Sequence, residues 1–467
     1  MAQDSIKFGT DGWRAVIGDG FTSSNLARVV EAVSAWINSA HEHPSVMLGY
    51  DCRFNAAKFA EAAACRLAAN GIKVFLSPGF VSTPMVSLAT VQRQCSAGII
   101  LTASHNPPEY LGLKVKGFFG GPAHPGTISR IESLIPESVD PIDGTLDFWL
   151  TEQRVEYYDM EALYVNHIRQ RFDLASFSSS VHRLGYDAMY GAGQRVFRQL
   201  FPKAHLLHCT YNPWFDGQAP EPIESNLNEF KELVRTKRIG WGLATDGDAD
   251  RIGLLTEEGV FVDSHHILLL LVYYLHNHLG YSGKIVTTFS TSSRIGILCQ
   301  LYGLPHEVTP IGFKYVGEIM SREDVLVGGE ESGGIAVKGH IPERDGIYIG
   351  LLILEMMVKL NKSLPQLIGE LHQLVGPFSM QRVDLKLQQS EKERVMESCH
   401  NSAISRIGNL VVNRIETIDG FKFHVGENNW VMLRASGTEP VLRIYAEAST
   451  ATEAMDLIDQ ARRHWKI

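Results

Sequence analysis

The chain has 467 residues, 45% apolar and 20% charged, an ordinary globular balance, and at roughly 100–200 residues per domain it has room for three or four domains. A formal charge of −9 without any dense Lys/Arg block argues against a nucleic-acid binder, because that binding depends on basic side chains neutralising phosphates. The longest apolar run, residues 267–275, is about half of the ~20 residues a bilayer span needs, and six scattered cysteines without a CxxC pair fit thiols in a reducing compartment.

The polar opening Met1-Ala2-Gln3-Asp4-Ser5 is no signal peptide, so a cytoplasmic protein is expected, with no membrane partner. In chain order, helical and strand signals alternate through most of the sequence, the pattern of α/β layers. Residues 25–38 carry Leu26, Val29, Val30, Val33 and Ile37 at helical spacing, and 45–50 read as a strand ending at Asp51. An alanine-rich helix over 59–69 stops at Asn70-Gly71, and 72–76 form the next strand. A strand over 97–102 delivers Ser104 at its carboxyl end, where ligands bind in open α/β sheets.

A stretch of low hydrophobicity, residues 136–144, precedes a helix expected over 155–171. The α/β pattern restarts with a strand at 183–188, and again near Gly259 with an apolar helix over 267–278 and a strand over 284–288. Beyond residue 374 the texture turns antiparallel, as in 383–387 and 430–434, and a helix from Ala451 closes the chain. The expected units are 1–150, 151–258, 259–374 and 375–467.

Four segments concentrate polar chemistry. The first is Thr102-Ala103-Ser104-His105-Asn106-Pro107. A serine hydroxyl needs activation to act as a nucleophile, which admits a serine hydrolase as one reading and a capped turn as another. No G-x-S-x-G elbow occurs, and a carboxylate metal loop has no place in an acyl-transfer triad.

That loop is Asp246-Gly247-Asp248-Ala249-Asp250-Arg251. In a flat strand its alternate carboxylates would stand ~7 Å apart, too far for Mg²⁺ ligands at ~2.1 Å from one ion, so the segment must curl. An EF-hand fails because its sixth position is Arg251 where glycine is required. The plain alternative is a charged surface turn.

Gly329-Glu330-Glu331-Ser332-Gly333 offers carboxylate acceptors for vicinal hydroxyls, or is an acidic surface loop. Arg434-Ala435-Ser436-Gly437-Thr438-Glu439-Pro440 combines a basic fork, hydroxyls and backbone N–H groups into an anion nest. Two decoys fall away. Gly191-Ala192-Gly193 has Val196 at the third glycine of a dinucleotide fingerprint, and His265-His266 lacks a partner at metal spacing.

Together these segments resemble the α-D-phosphohexomutases, the phosphoglucomutase and phosphomannomutase family, and Phe8-Gly9-Thr10-Asp11-Gly12-Trp13-Arg14 resembles that family's opening motif. The resemblance implies an α/β fold of three topologically similar domains around a central cleft, plus a smaller C-terminal α+β lid domain. It implies that Ser104 carries a phosphoryl group, beside His105, Lys114, Arg14, Arg251 and Arg344 as catalytic residues. Mg²⁺ is expected on Asp246, Asp248, Asp250 and phosphorylated Ser104. Lys314, Glu330, Ser332, Arg434, Ser436, Gly437 and Thr438 are expected to bind the phosphosugar. Leu111 departs from the family's usual asparagine in the serine loop.

The patterns around Gly312 and 340–346 lean toward the glucose-preferring branch. The expected reaction interconverts glucose 1-phosphate and glucose 6-phosphate, with glucose 1,6-bisphosphate as intermediate and activator, by a monomer or homodimer. The alternatives are a sugar-bisphosphate synthase on the same fold, a mutase for mannose or glucosamine phosphate, and a non-catalytic sugar-phosphate sensor.

Overall fold

The computed structural model describes residues 6–179, 183–401, 404–435 and 441–467. It contains four sheets. The first runs in the order Trp13–Val16, Tyr110–Gly117, Ala97–Leu101, Ser45–Tyr50, Lys73–Leu76, Val155–Tyr157. The helix Ser23–Ala40 begins where the Thr22 side chain accepts the Asn25 N–H, and it buries Leu26, Val29, Val30, Val33 and Ile37. The second sheet orders Phe261–Val262, Ile252–Leu255, Trp241–Thr245, Leu184–Asp187, His205–Leu207, and the third orders His306–Thr309, Lys284–Thr288, Val325–Gly329, Ile335–Val337.

One arrangement recurs in these three sheets. A parallel strand turns back into an antiparallel neighbour: Ala97–Leu101 into Tyr110–Gly117, Trp241–Thr245 into Ile252–Leu255, Val325–Gly329 into Ile335–Val337. The three connections are residues 102–109, 246–251 and 330–334, which hold Ser104, the aspartates and Glu330. Three equivalent hairpins therefore supply three of the four segments singled out in the sequence. They also touch. A Cβ on Gly247 would stand 2.5 Å from the Ser104 carbonyl oxygen, and the Ile252 N–H donates to Gly333 O at 3.2 Å.

The helix expected over 155–171 begins only at Met160. Val155–Tyr157 instead extends the first sheet, parallel to Lys73–Leu76, because Val155 fills that domain's core. Asp159 then starts the helix by accepting the Ala162 N–H at 2.9 Å. Phe261–Val262 likewise still belongs to the second sheet, past residue 258.

The fourth sheet, Ser379–Lys386, Val441–Ala448, Asn429–Ala435, Phe421–Val425, Leu410–Glu416, Arg406–Ile407, is antiparallel throughout. Period two divides its central strand: Val431 and Leu433 enter this domain's own core, while Trp430 and Met432 pack against Phe289 of the third domain. Glu447 seals the same interface, accepting from the Ser292 and Ser293 hydroxyls, the Ser293 N–H and Trp430 Nε1. The first three domains share one apolar cluster, from Met47 and Met85 through Tyr164 and Leu243 to Leu268 and Tyr348.

Candidate active site

The serine hairpin is held by one buried guanidinium. Arg53 Nη2 donates to the carbonyls of Ser104 and Asn106 at 2.7 and 2.6 Å, and Nη1 to those of Pro107 and Tyr110 at 2.8 and 3.0 Å. Asp51 Oδ2 lies 3.3 Å from Arg53 Nε and accepts the Thr102 hydroxyl, and burial, partly offset by Arg53, pushes the Asp51 carboxyl up to about 6. Gly112 permits the crossing beneath, since a Cβ there would lie 2.4 Å from Trp13 O and 2.7 Å from Thr102 O. Leu111, next to it, is fully buried in the first domain's core.

Ser104 has φ 51°, in the left-handed region, and is wholly buried. Its hydroxyl donates to Asp246 Oδ2 at 2.8 Å, with His105 Nδ1 at 3.5 Å. Burial, reinforced by Arg251 and Arg14, pushes the His105 imidazole well below its usual range, toward the neutral form.

Asp246, Asp248 and Asp250 each offer an oxygen within 4.8 Å of the others, and all three residues are buried. The loop's own backbone closes it: the N–H groups of Asp250 and Arg251 donate to Asp246 Oδ1 at 2.9 and 3.0 Å. Asp248 Oδ1 and Asp250 Oδ1 are buried oxygens with no hydrogen-bond partner. Buried carboxylate oxygens left unpaired are costly, and a hard divalent cation satisfies them, so this donor set fits Mg²⁺. The outer oxygens are occupied, Asp248 Oδ2 by Lys114 Nζ at 2.7 Å and Asp250 Oδ2 by Lys114 at 2.9 Å and Arg344 at 2.7 Å.

Asp11 completes this charge cluster. It binds Lys114 Nζ at 2.7 Å, pairs with Arg344, and lies 3.6 Å from Lys116. Burial alone would lower Lys114, but Asp11, Asp248 and Asp250 outweigh it and keep the ammonium charged. Arg14 reaches the serine hairpin through Asn106 Oδ1 at 2.6 Å. Arg251 Nη1 donates to Glu221 at 3.1 Å while its buried Nε has no partner.

Glu330 accepts the Ser332 hydroxyl at 2.7 Å and keeps its buried Oε2 unpaired, and burial raises its carboxyl despite Arg344. Lys314 borders a cavity of about 120 Å³ with Thr10, Asp11 and Gly12. Arg434 sits on the fourth domain with Nε 3.1 Å from Asp419. Ser436, Gly437 and Thr438 lie outside the described residues.

The structure thus gathers Ser104, His105, Lys114, Arg14, the three aspartates, Arg251 and Arg344 into one network, brings Lys314 to a cavity that Asp11 of this network also borders, and leaves Arg434 apart. Asp11 stands in the opening motif without an assigned role, and Arg53, Glu221, Asp419 and Thr83, whose hydroxyl donates to Asp248 Oδ2, escaped the sequence reading. Only Asp51-Cys52-Arg53, at the end of a strand, carried a positional signal.

A buried serine on a carboxylate cluster, with fixed cations beside it, is an arrangement that can support phosphoryl chemistry. The phosphoglucomutase/phosphomannomutase domain models match in order: alpha/beta/alpha domain I at residues 5–140, domain II at 162–259, domain III at 263–375 and the C-terminal domain at 384–464. A phosphoglucomutase/phosphomannomutase of Thermococcus kodakarensis is 27% identical over 97% of this chain and 96% of its own length. A probable phosphoglucosamine mutase of Pyrococcus furiosus is 29% identical over 97% and 96%. The crystal structure of a putative phosphomannomutase from Thermus thermophilus superposes with a TM-score of 0.86 at 33% identity, covering 98% of both chains. The chain belongs to the phosphoglucomutase/phosphomannomutase family and is a phosphohexomutase, an isomerase that moves a phosphoryl group within a sugar phosphate. Among the described residues no helix is long and apolar enough to cross a membrane.

Proposed function

We propose that this enzyme interconverts glucose 1-phosphate and glucose 6-phosphate, with phosphorylated Ser104 as donor and acceptor of the phosphoryl group. The observation that carries the reading is the Ser104 hydroxyl 2.8 Å from Asp246, in a carboxylate cluster whose remaining inner oxygens have no partner. Mg²⁺ held by Asp246, Asp248, Asp250 and an oxygen of the Ser104 phosphate would neutralise the charge spread over the transferring group.

The sugar's 6-hydroxyl attacks the phosphorus. The O6–P bond forms as the Ser104 Oγ–P bond breaks, and the hydroxyl proton ends on Ser104 Oγ. His105, whose Nδ1 lies 3.5 Å from the Ser104 hydroxyl, moves that proton, while Lys114 stays charged within the carboxylate cluster and Arg344, permanently charged, and Arg14 and Arg251 hold phosphate oxygens. Glu330 and Ser332 take ring hydroxyls, and Lys314 and Arg434, with Ser436, Gly437 and Thr438, hold the phosphate that is not transferring. The resulting glucose 1,6-bisphosphate turns end for end and returns its 1-phosphate to Ser104. The same compound, added externally, activates the enzyme by phosphorylating Ser104.

The name of the Pyrococcus furiosus relative favours a second reading, the same 1,6 exchange on glucosamine phosphate. Incubation with glucose 1-phosphate, Mg²⁺ and a trace of glucose 1,6-bisphosphate, followed by phosphorus NMR, tests the first. Conversion to the 6-phosphate that Ser104→Ala abolishes supports it. Conversion of glucosamine 1-phosphate alone replaces it with the second reading, and accumulation of bisphosphate would make the enzyme a synthase.

A further inference from the structure

Asp419 stands in the turn between the strands Leu410–Glu416 and Phe421–Val425, and its two carboxylate oxygens face different domains. Oδ1 forms an ion pair with Arg434 within the fourth domain, 3.1 Å from Nε though without the alignment of a hydrogen bond. Oδ2 accepts the backbone N–H of Ile311, from the third domain, at 2.9 Å. Ile311 directly precedes Gly312, whose φ of 132° starts the helix Phe313–Met320 that carries Lys314.

The turn is built to lie against the arginine. Gly420 has φ 99°, and a Cβ on it would meet Leu433 O at 2.4 Å and Arg434 Cα at 3.2 Å. Only glycine lets the turn approach so closely without strain. Ile311 joins Phe289, Trp430, Met432 and Tyr445 in the apolar contact between the two domains, so the Asp419 bridge is anchored on packed side chains. Among the described residues Asp419 is the one carboxylate paired with Arg434, and none of these residues takes the two terminal nitrogens of its guanidinium.

We infer that Asp419 is a positioning residue for substrate binding. It fixes Arg434 through Nε, presents the terminal nitrogens as a fork for a phosphate, and sets that fork in register with the loop leading to Lys314. A guanidinium held by an ion pair on its Nε edge has lost part of its rotational freedom before the anion arrives, and that part of the ordering cost no longer opposes binding. Because Oδ2 is bonded across the interface, the arginine is set by the third domain as well as by its own. The inference rests on the reading that Arg434 holds the non-transferring phosphate.

Steady-state kinetics on the intact enzyme with its sugar 1-phosphate test both statements. Asp419→Asn keeps an oxygen for the Ile311 N–H and removes the charge opposite Arg434. Its KM is expected to rise about tenfold with kcat within about twofold, the signature of lost ground-state and transition-state binding alike. Arg434→Ala is expected to raise KM further, and the double variant to be no worse than Arg434→Ala alone, since Asp419 acts through the arginine. Asp419→Glu, which moves the carboxylate by one methylene, must show the same KM increase if the Asn variant melts early.

An unchanged KM in Asp419→Asn beside a raised KM in Arg434→Ala overturns the positioning role and leaves the phosphate reading intact. Additive effects in the double variant do the same. An unchanged KM in Arg434→Ala overturns the phosphate reading and the inference together. A fall in kcat and thermal midpoint with KM constant would reduce Asp419 to a structural contact.

Discussion

Thr83 and Asp248 belong to different domains, and the threonine holds the aspartate twice: its hydroxyl donates to Oδ2 at 2.5 Å and its backbone N–H to the Asp248 carbonyl at 3.0 Å. Ser82 caps the helix that begins at Thr83, accepting the Met85 N–H, so the grip comes from a rigid element. Groups that orient a metal ligand typically contribute 10–100-fold to metal affinity. Thr83→Val is therefore expected to weaken Mg²⁺ binding by about tenfold, read by calorimetry and by the Mg²⁺ dependence of turnover, with kcat recovered at saturating metal. An unaltered Mg²⁺ dependence would show that Thr83 only joins two domains.

Asp250 combines an unpaired inner oxygen with an outer one held by Lys114 and Arg344. Asp250→Asn removes one charge from the cluster and should lower kcat/KM by about 10³-fold, not restored by added Mg²⁺. Chelation of the wild-type enzyme with EDTA should abolish turnover reversibly. Retention of activity after exhaustive chelation would refute the assignment of these carboxylates as metal ligands.

Arg53 satisfies four carbonyls of the serine hairpin. Arg53→Ala strands those acceptors and leaves Asp51 buried without its countercharge, at a cost of about 3–5 kcal/mol. The expected readout is a lower thermal midpoint and loss of Ser104 phosphorylation by the bisphosphate. Arg53→Lys should recover little, because a single ammonium cannot serve four oxygens in a fork. A lysine variant with wild-type melting would refute the point.

Lys422 lies buried over the rings of Trp430 at 4.2 Å and Phe289 at 4.6 Å, and burial pulls its ammonium from 10.5 down to about 8, against the pull of Glu416 and Glu447. Between those values the unfolded chain binds the proton and the folded one does not, so this group makes stability rise with pH from about 8 to about 10.5. Below about 8 it is charged in both states and its burial penalty stands in full. Lys422→Met should raise the melting temperature at pH 7 by a few degrees and flatten the alkaline rise. Thermal scans of both proteins across that range decide it, and parallel pH profiles would count against the buried ammonium.

Ser104, the three aspartates and Glu330 were legible because each lies in a short contiguous segment after a strand, where the chain must turn and ligands bind. The strand at Val155–Tyr157 was not, since Val155 and Tyr158 continue the apolar spacing of the helix that follows. The supporting residues were invisible for a different reason. Arg53 acts on carbonyls about fifty residues away, Thr83 on a loop 165 residues away, and Asp419 on a backbone N–H 108 residues away. Nothing in local composition or periodicity records such pairings. They follow from three hairpins being stacked by a core that joins three domains.

That shared core has a consequence for how the enzyme can change. The three domains bearing the serine, the aspartates and Glu330 are fused through one apolar cluster, whereas the fourth keeps a separate interior and meets them across Phe289, Trp430, Met432 and Tyr445. Such a part behaves as a cassette: it can be exchanged with a relative's, seam residues included, without reopening the reaction centre. The surroundings of Arg434 could then be remodelled in the cassette while Glu330, Ser332 and the reaction centre are inherited unaltered.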